Sequence, residues 1–323
     1  MAYEYLLNGP LGVRPLCDLV REFSKIPEIK GVYVRVYQLS VSSSSSWLTN
    51  LCPIAVYMTI SKDEIYLAET GQIRVLRASD GAFKRVLTTQ LTYPRKPTIF
   101  NEELFVCDNG LEQLKIFDVN SGKLLREWGK LGRASGELRF PRGILILSDS
   151  RGVRVVVADT GNSRLHFFRT NGDPISIWKG PRGRKKRRKF ISPWDVASHN
   201  GEIFLLESAE YSMNEGSRCV QVLDIDGNLM REFGNGHFIR PCAMEVVKSG
   251  VFVLDRDFTR FYKRSGKFIR EWKHQEVGVN SGFHVTGIAM STHGELFTCA
   301  GVVDIGAVIQ VFLYVFSHAV QFF

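Results

Sequence analysis

Residues 155–178 read VVVADTGNSRLHFFRTNGDPISIW, and one complete structural unit is written in their order. Val155 to Asp159 is an apolar run that ends in an acid, and Leu165 to Phe168 is a second apolar run. Asn171-Gly172 follows, a dipeptide that supplies the positive φ of a tight hairpin. Trp178 stands six residues past that glycine, at the end of a third short run. Short apolar runs separated by turn residues predict antiparallel strands joined by hairpins.

The same ruler can be laid along the rest of the chain. Turn glycines recur as Asp80-Gly81, Ser121-Gly122, Asp226-Gly227 and Ser265-Gly266, and six residues beyond them lie Leu87, Trp128, Phe233 and Trp272. Acid-terminated strands precede the turns at Ile65 to Glu69, Leu104 to Asp108, Ile203 to Glu207 and Val251 to Asp255. A sixth copy, Leu296 to Ala300, has lost its acid. The last residues of these strands are 39, 51, 48, 48 and 45 positions apart. Upstream of each lies a short first strand, often led by proline, as in Pro141-Arg142-Gly143-Ile144, Pro193-Trp194-Asp195-Val196 and Pro241-Cys242-Ala243-Met244. Each unit therefore reads as four antiparallel strands, a to d. A lone sheet of this kind leaves both faces exposed, and closure into a ring buries them. The expected fold is all-β: a six-bladed β-propeller of four-stranded antiparallel blades, with the last blade and the closure irregular. The strand-d aromatics are expected to pack between blades, and Asp159, Glu207 and Asp255 to cap the b-to-c turns through local backbone amides.

The stretch from Trp128 to Gly143, WGKLGRASGELRFPRG, resembles the linker and first strand of the NHL-repeat β-propeller family, and Val157 to Leu165 resembles that family's most characteristic segment, with Ser163 where histidine is often seen. The likeness covers about Leu51 to Phe312. It is strong in the third unit and degenerate in the first and sixth. The resemblance implies a six-bladed ring used for contacts with protein or RNA, often at the end of a RING-type ubiquitin ligase. No RING or B-box pattern of cysteines and histidines accompanies it here, so ligase association is expected only through a partner.

The chain divides into an N-terminal segment, 1–50, and an NHL-type propeller, 51–323. Val32 to Leu39 alternates as a strand does and is expected to complete the sixth blade, while Ser42 to Ser46 reads as a loop. The first residues lack the basic, apolar and small-residue order of a secretory signal. The six cysteines show no CxxC pair, which disfavours zinc ribbons and redox motifs and fits buried thiols in a reducing compartment. The apolar end, Leu313 to Phe323, is interrupted by His318 and Gln321 and reads as packed strand rather than a membrane span. The expected location is cytoplasmic, with the nucleus open to it.

The net charge is +9, and eight positive charges lie between Lys179 and Lys189 with no acid among them, so nine minus eight leaves +1 for the rest. This d-to-a linker, Lys179 to Ile191, is an insertion. So is the b-to-c loop Ser208 to Arg218, and both belong to the junction of blades three and four. The candidate binding residues are Arg182, Arg184, Lys185, Lys186, Arg187, Arg188 and Lys189 for charge, with Phe190 and Trp194 as stacking surfaces. Three readings stay open: a phosphate-backbone contact on RNA, a nuclear-import address at 184–189 recognised by an import receptor, and a solvated loop neutralised by Glu207, Glu210 and Glu215. If about six charges met single-stranded RNA, affinity would fall roughly 10²- to 10³-fold between ~50 and ~200 mM salt.

The expected function is a non-catalytic scaffold that engages protein or RNA through the propeller rim, its basic loop touching an acidic partner. The alternative is a metal-dependent propeller enzyme, an amidating lyase or a lactonase-like hydrolase. Such a site needs several His, Asp or Glu side chains converging on the channel. His237 and His284 occupy different offsets in their linkers, and His166 lies within strand c. No nucleophile elbow, P-loop or dinucleotide fingerprint is present, and neither a cofactor, a catalytic residue nor a metal ligand is expected.

Overall fold

In a computed structural model, the protein is described at residues 34–42, 57–182, 189–208, 218–255, 257–273, 284–292, 294–303 and 308–316; 34–42, 284, 300–303 and 308–316 are described as backbone alone. The described residues are strands joined by turns, with a single 3-10 turn at Thr160–Asn162. No helix among them is long and apolar enough to cross a membrane.

After β1 (Val34–Ser42), five blades follow, each made of four consecutive antiparallel strands. Blade one is β2 (Tyr57–Ser61), β3 (Glu64–Glu69), β4 (Gln72–Arg77) and β5 (Phe83–Thr88). Blade two is β6 (Thr98–Phe100), β7 (Glu103–Asp108), β8 (Gln113–Asp118) and β9 (Leu124–Trp128). Blade three is β10 (Pro141–Asp149), β11 (Gly152–Asp159), β12 (Arg164–Arg169) and β13 (Pro174–Trp178). Blade four is β14 (Pro193–His199), β15 (Glu202–Glu207), β16 (Cys219–Asp224) and β17 (Leu229–Phe233), and blade five is β18 (Pro241–Val246), β19 (Val251–Asp255), β20 (Phe258–Tyr262) and β21 (Phe268–Lys273).

The expectation of a six-bladed ring with an irregular last blade is corrected here: five blades are built of consecutive strands, and the remaining four-stranded sheet is composite. It runs in the order β1, β24 (Val308–Phe316), β23 (Leu296–Val303), β22 (His284–Met290), so both ends of the chain contribute. Val34 pairs with Phe316 and Ser42 with Val308. The physical reason is closure: a sheet shared by both ends holds the first and last blades together with backbone hydrogen bonds.

Apolar faces of neighbouring sheets meet in separate clusters. Leu165, Phe167 and Trp178 of blade three pack with Val196, Ile203 and Leu205 of blade four. Met58, Ile65 and Leu67 of blade one meet Ala289, Phe297 and Cys299 of the composite sheet, and Phe252 and Leu254 of blade five meet its Val285, Ile288 and Leu296. Each fully buried side chain of this size contributes about 1.5–3 kcal/mol, so the stability of the ring resides between sheets.

The six-residue ruler has a concrete cause. A Cβ on Gly172 would lie 2.8 Å from the Trp128 ring, on Gly227 3.1 Å from the Trp178 ring, and on Gly266 2.9 Å from Phe233. Each turn glycine thus rests on the last strand-d side chain of the preceding blade. The recurring offset is the distance that brings one blade's aromatic under the next blade's turn.

Strand c of blade three carries His166, fully buried, with its ring centre 4.2 Å from that of Phe168 and its Nε2 accepting from the Gly136 amide at 3.4 Å. Burial first, and then the neighbouring Arg164 charge, push it down to about 4. The unfolded chain takes up this proton near 6.5, whereas the folded chain refuses it until about 4. Stability is therefore complete above 6.5 and is lost as pH falls through that window. The expected loss from this group is about 2 kcal/mol between pH 7 and pH 5. Urea unfolding of His166→Gln at both pH values checks it: the variant should lose about 2 kcal/mol less than the native chain over that interval, and equal losses refute the assignment.

Candidate functional site

The rim that carries the d-to-a linkers is built by the acids that end each strand b. Asp159 accepts from the Arg139 amide at 2.7 Å, Glu207 from Ile191 at 2.9 Å, and Asp255 from Ile239 and Arg240. Asp108 does the same for Thr92 and Tyr93, both at 3.0 Å. The expected capping of b-to-c turns is corrected accordingly: these carboxylates reach back 15 to 20 residues and fasten the incoming linker. All four are fully buried, and a buried carboxylate needs partners. Arg164 supplies one to Asp159 at 2.6 Å, Lys115 one to Asp108 at 3.6 Å, Arg260 one to Asp255, and the neutral Gln221 one to Glu207 at 3.2 Å.

A linker held by its backbone turns its side chains outward. Tyr93 is 48% exposed, Leu131 66%, Phe140 48%, Ile191 37% and Ile239 42%. Positive charge sits among them at Arg133, Lys130 and Arg139, the last with its guanidinium 5.9 Å from the Phe140 ring centre. One rim therefore presents apolar side chains interleaved with cations.

The roots of the two insertions adjoin. Phe190 donates its amide to the Lys179 carbonyl at 3.0 Å, closing the first, and Ser208 donates to the Ser192 carbonyl at 3.0 Å, joining the second to it. Arg184, Lys185, Lys186, Arg187 and Arg188 lie outside the described residues, as do Glu210 and Glu215. Arg182 and Lys189 flank them and are exposed. The Arg182 guanidinium lies 5.3 Å from the Trp178 ring centre, and its amide donates to Gly227. Phe190 is 2% exposed and belongs to the core between blades three and four, so it offers no open face for stacking. Trp194 is 6% exposed, covered by the Arg142 guanidinium at 3.4 Å from its ring centre. Glu207 is buried and its carboxylate accepts from the Ile191 amide.

A second cluster lies inside the channel and was not anticipated from sequence. Lys96 donates to Asp195 Oδ2 at 3.0 Å and to the Met244 carbonyl at 2.7 Å, with Glu245 Oε2 at 3.8 Å. Blades two, four and five thus meet through one ammonium group. Asp195 also accepts from the Met244 and Val196 amides at 2.9 Å. A Cβ on Gly143 would stand 2.8 Å from Asp195 Oδ1, so that glycine leaves the carboxylate its room. The signal was present but faint: Asp195 occupies the strand-a position of Gly143 and Ala243, and Glu245 that of Leu145 and Ala197. Among the described residues no group of three or more His, Cys, Asp or Glu is placed to hold a metal ion.

No family model matches the sequence, and no curated protein is similar to it. Solved structures are similar in fold. Hydrazine synthase of Kuenenia stuttgartiensis aligns with a TM-score of 0.55 at 13% identity, covering 82% of this chain and 80% of that one. A chain of the nidogen–laminin complex aligns with a TM-score of 0.54 at 13% identity, covering 73% of this chain and 84% of that one. At this identity the likeness establishes the β-propeller arrangement alone.

Proposed function

We propose that this chain is a non-catalytic propeller scaffold of the NHL type that binds an acidic protein partner on its linker rim, at and beside the junction of blades three and four. The observation that carries this reading is the set of exposed side chains on linkers pinned from below by buried acids. Tyr93, Leu131, Phe140, Ile191 and Ile239 stand out from a rigid base, next to a segment with eight positive charges. Exposed apolar groups ringed by arginine are what protein interfaces use. Aliphatic side chains offer little to a phosphate backbone, which favours protein over RNA. The fold is compatible with such a role, as one similar structure is that of a protein complex.

Crosslinking in cells tests the reading with two variants: Phe140→Ser with Ile191→Ser, and alanine at 184–189. Each truncated anchor costs about 1–2 kcal/mol of binding. Both variants should lose the same protein crosslinks by about tenfold. Undiminished protein crosslinks in both refute the proposal, and loss of RNA crosslinks alone moves the function to nucleic acid. If alanine at 184–189 abolishes nuclear location and nothing else, the segment is an import address.

A further inference from the structure

The strands a from all six sheets line the channel, and the Lys96 cluster divides it unequally. On the linker side lies a void of about 10 Å³ among Tyr57, Arg95, Arg142, Trp194 and Cys242. On the other side, toward the a-to-b turns, lies a well of about 280 Å³. The first holds no more than a water molecule, whereas the second has room for a small organic molecule. Its walls combine apolar side chains such as Phe100 and Met290 with the polar Thr59, Thr98, Ser198 and Glu245.

The charges at the floor are unequal. Two carboxylates share one ammonium. Asp195 is fully engaged by Lys96 and two backbone amides. Glu245 has the 3.8 Å contact with Lys96 and a bond from the Met290 backbone, so its carboxylate keeps acceptor capacity. An anion entering the well would meet both carboxylates, while Lys96 is already occupied. A cation that can donate hydrogen bonds would balance the surplus negative charge of two carboxylates that share one ammonium.

We propose that the well binds a small organic ammonium, its cation at Glu245 and its short carbon body between Phe100 and Met290. Burial, opposed by Lys96 and reinforced by the nearby Asp195 charge, pushes Glu245 up to about 7. Its ionised form is the one that receives the cation. Affinity therefore rises about tenfold from pH 6 to pH 8, as the ionised fraction of such a group does. The inference is independent of the rim.

Calorimetric titration of the full chain with benzylammonium and butylammonium chloride tests it, with butyrate and butanol as matched probes. The ammonium salts should saturate at millimolar concentration or below, and butyrate should not. Glu245→Gln should weaken binding at least about tenfold at pH 8 and abolish the pH dependence. Ser198→Leu narrows the well from another wall without touching the charges, and it too should weaken binding. Absence of saturation by the native chain, preference for butyrate, or undiminished binding by a folded Glu245→Gln chain overturns the proposal. If Glu245→Gln does not fold, undiminished binding by Ser198→Leu overturns it equally.

Discussion

Gly172→Ala is expected to lower the stability of the propeller by about 3 kcal/mol, or about 4–5 °C in Tm, far more than an exposed turn substitution normally costs. Two effects add. Gly172 has φ +98°, a conformation that an L side chain adopts at a cost of about 1–2 kcal/mol. The new methyl would also stand 2.8 Å from the Trp128 ring of the preceding blade, and overpacking of that kind costs about 1–3 kcal/mol. Gly201 separates the two effects, because its φ is +77° and nothing lies within 4 Å of a Cβ there. Gly201→Ala should therefore show the backbone cost alone, about 1 kcal/mol. Gly227→Ala should fall between them, since the Trp178 ring is 3.1 Å away and needs to give only slightly. Urea unfolding of the three variants checks the order. Equal losses at Gly172 and Gly201 would mean that the blade contact is slack and that the ruler reflects turn geometry only.

That contact also explains how much of the fold was legible. The six-residue offset from turn glycine to strand-d residue is a local pattern, and it reports a non-local contact because every blade repeats it. Degenerate units were legible for the same reason: blade one has Leu87 in place of an aromatic yet forms all four strands, with two register shifts between its last two. What stayed hidden has no such repetition. The bulges that follow Pro141, Pro193 and Pro241 shift the a-to-b register by one residue, and nothing in the apolar alternation announces them. The backbone amides held by Asp159 and Glu207 lay in the linkers upstream rather than in the turns beside them, because an acid at a strand end is equally suited to either amide. Lys96 meets Asp195 across 99 residues and Met244 across 148, a convergence made by the ring and by nothing local. Phe190 looked like a surface aromatic because it borders a run of six cations, but its position beside Pro193 carries it into the core.

Asp159→Ala should be the most damaging change on the rim, with an expected loss of about 3–5 kcal/mol. The carboxylate holds three groups at once: the Arg139 amide at 2.7 Å, Asn162 Nδ2 at 2.9 Å and Arg164 Nε at 2.6 Å. Its removal leaves the Arg164 guanidinium, 2% exposed, without its carboxylate. Arg164 also donates to the carbonyls of Arg133, Ala134 and Glu137, so the whole linker before blade three hangs on this ion pair. Replacing both partners removes the orphaned charge. Asp159→Ala combined with Arg164→Met should therefore recover a substantial part of the loss, although the linker amide remains unfastened. Unfolding midpoints of the single and double variants measure the coupling, and limited proteolysis reads the linker itself. Cleavage between residues 129 and 140 should appear in Asp159→Ala under conditions where the native chain is intact. A linker that stays protected in that variant would show that backbone contacts such as Leu138 N–H to the Lys130 carbonyl hold the rim without the acid. The exposed Leu131 and Phe140 would then owe their placement to the linker's own turn, and the buried carboxylates would serve only to join strands b and c.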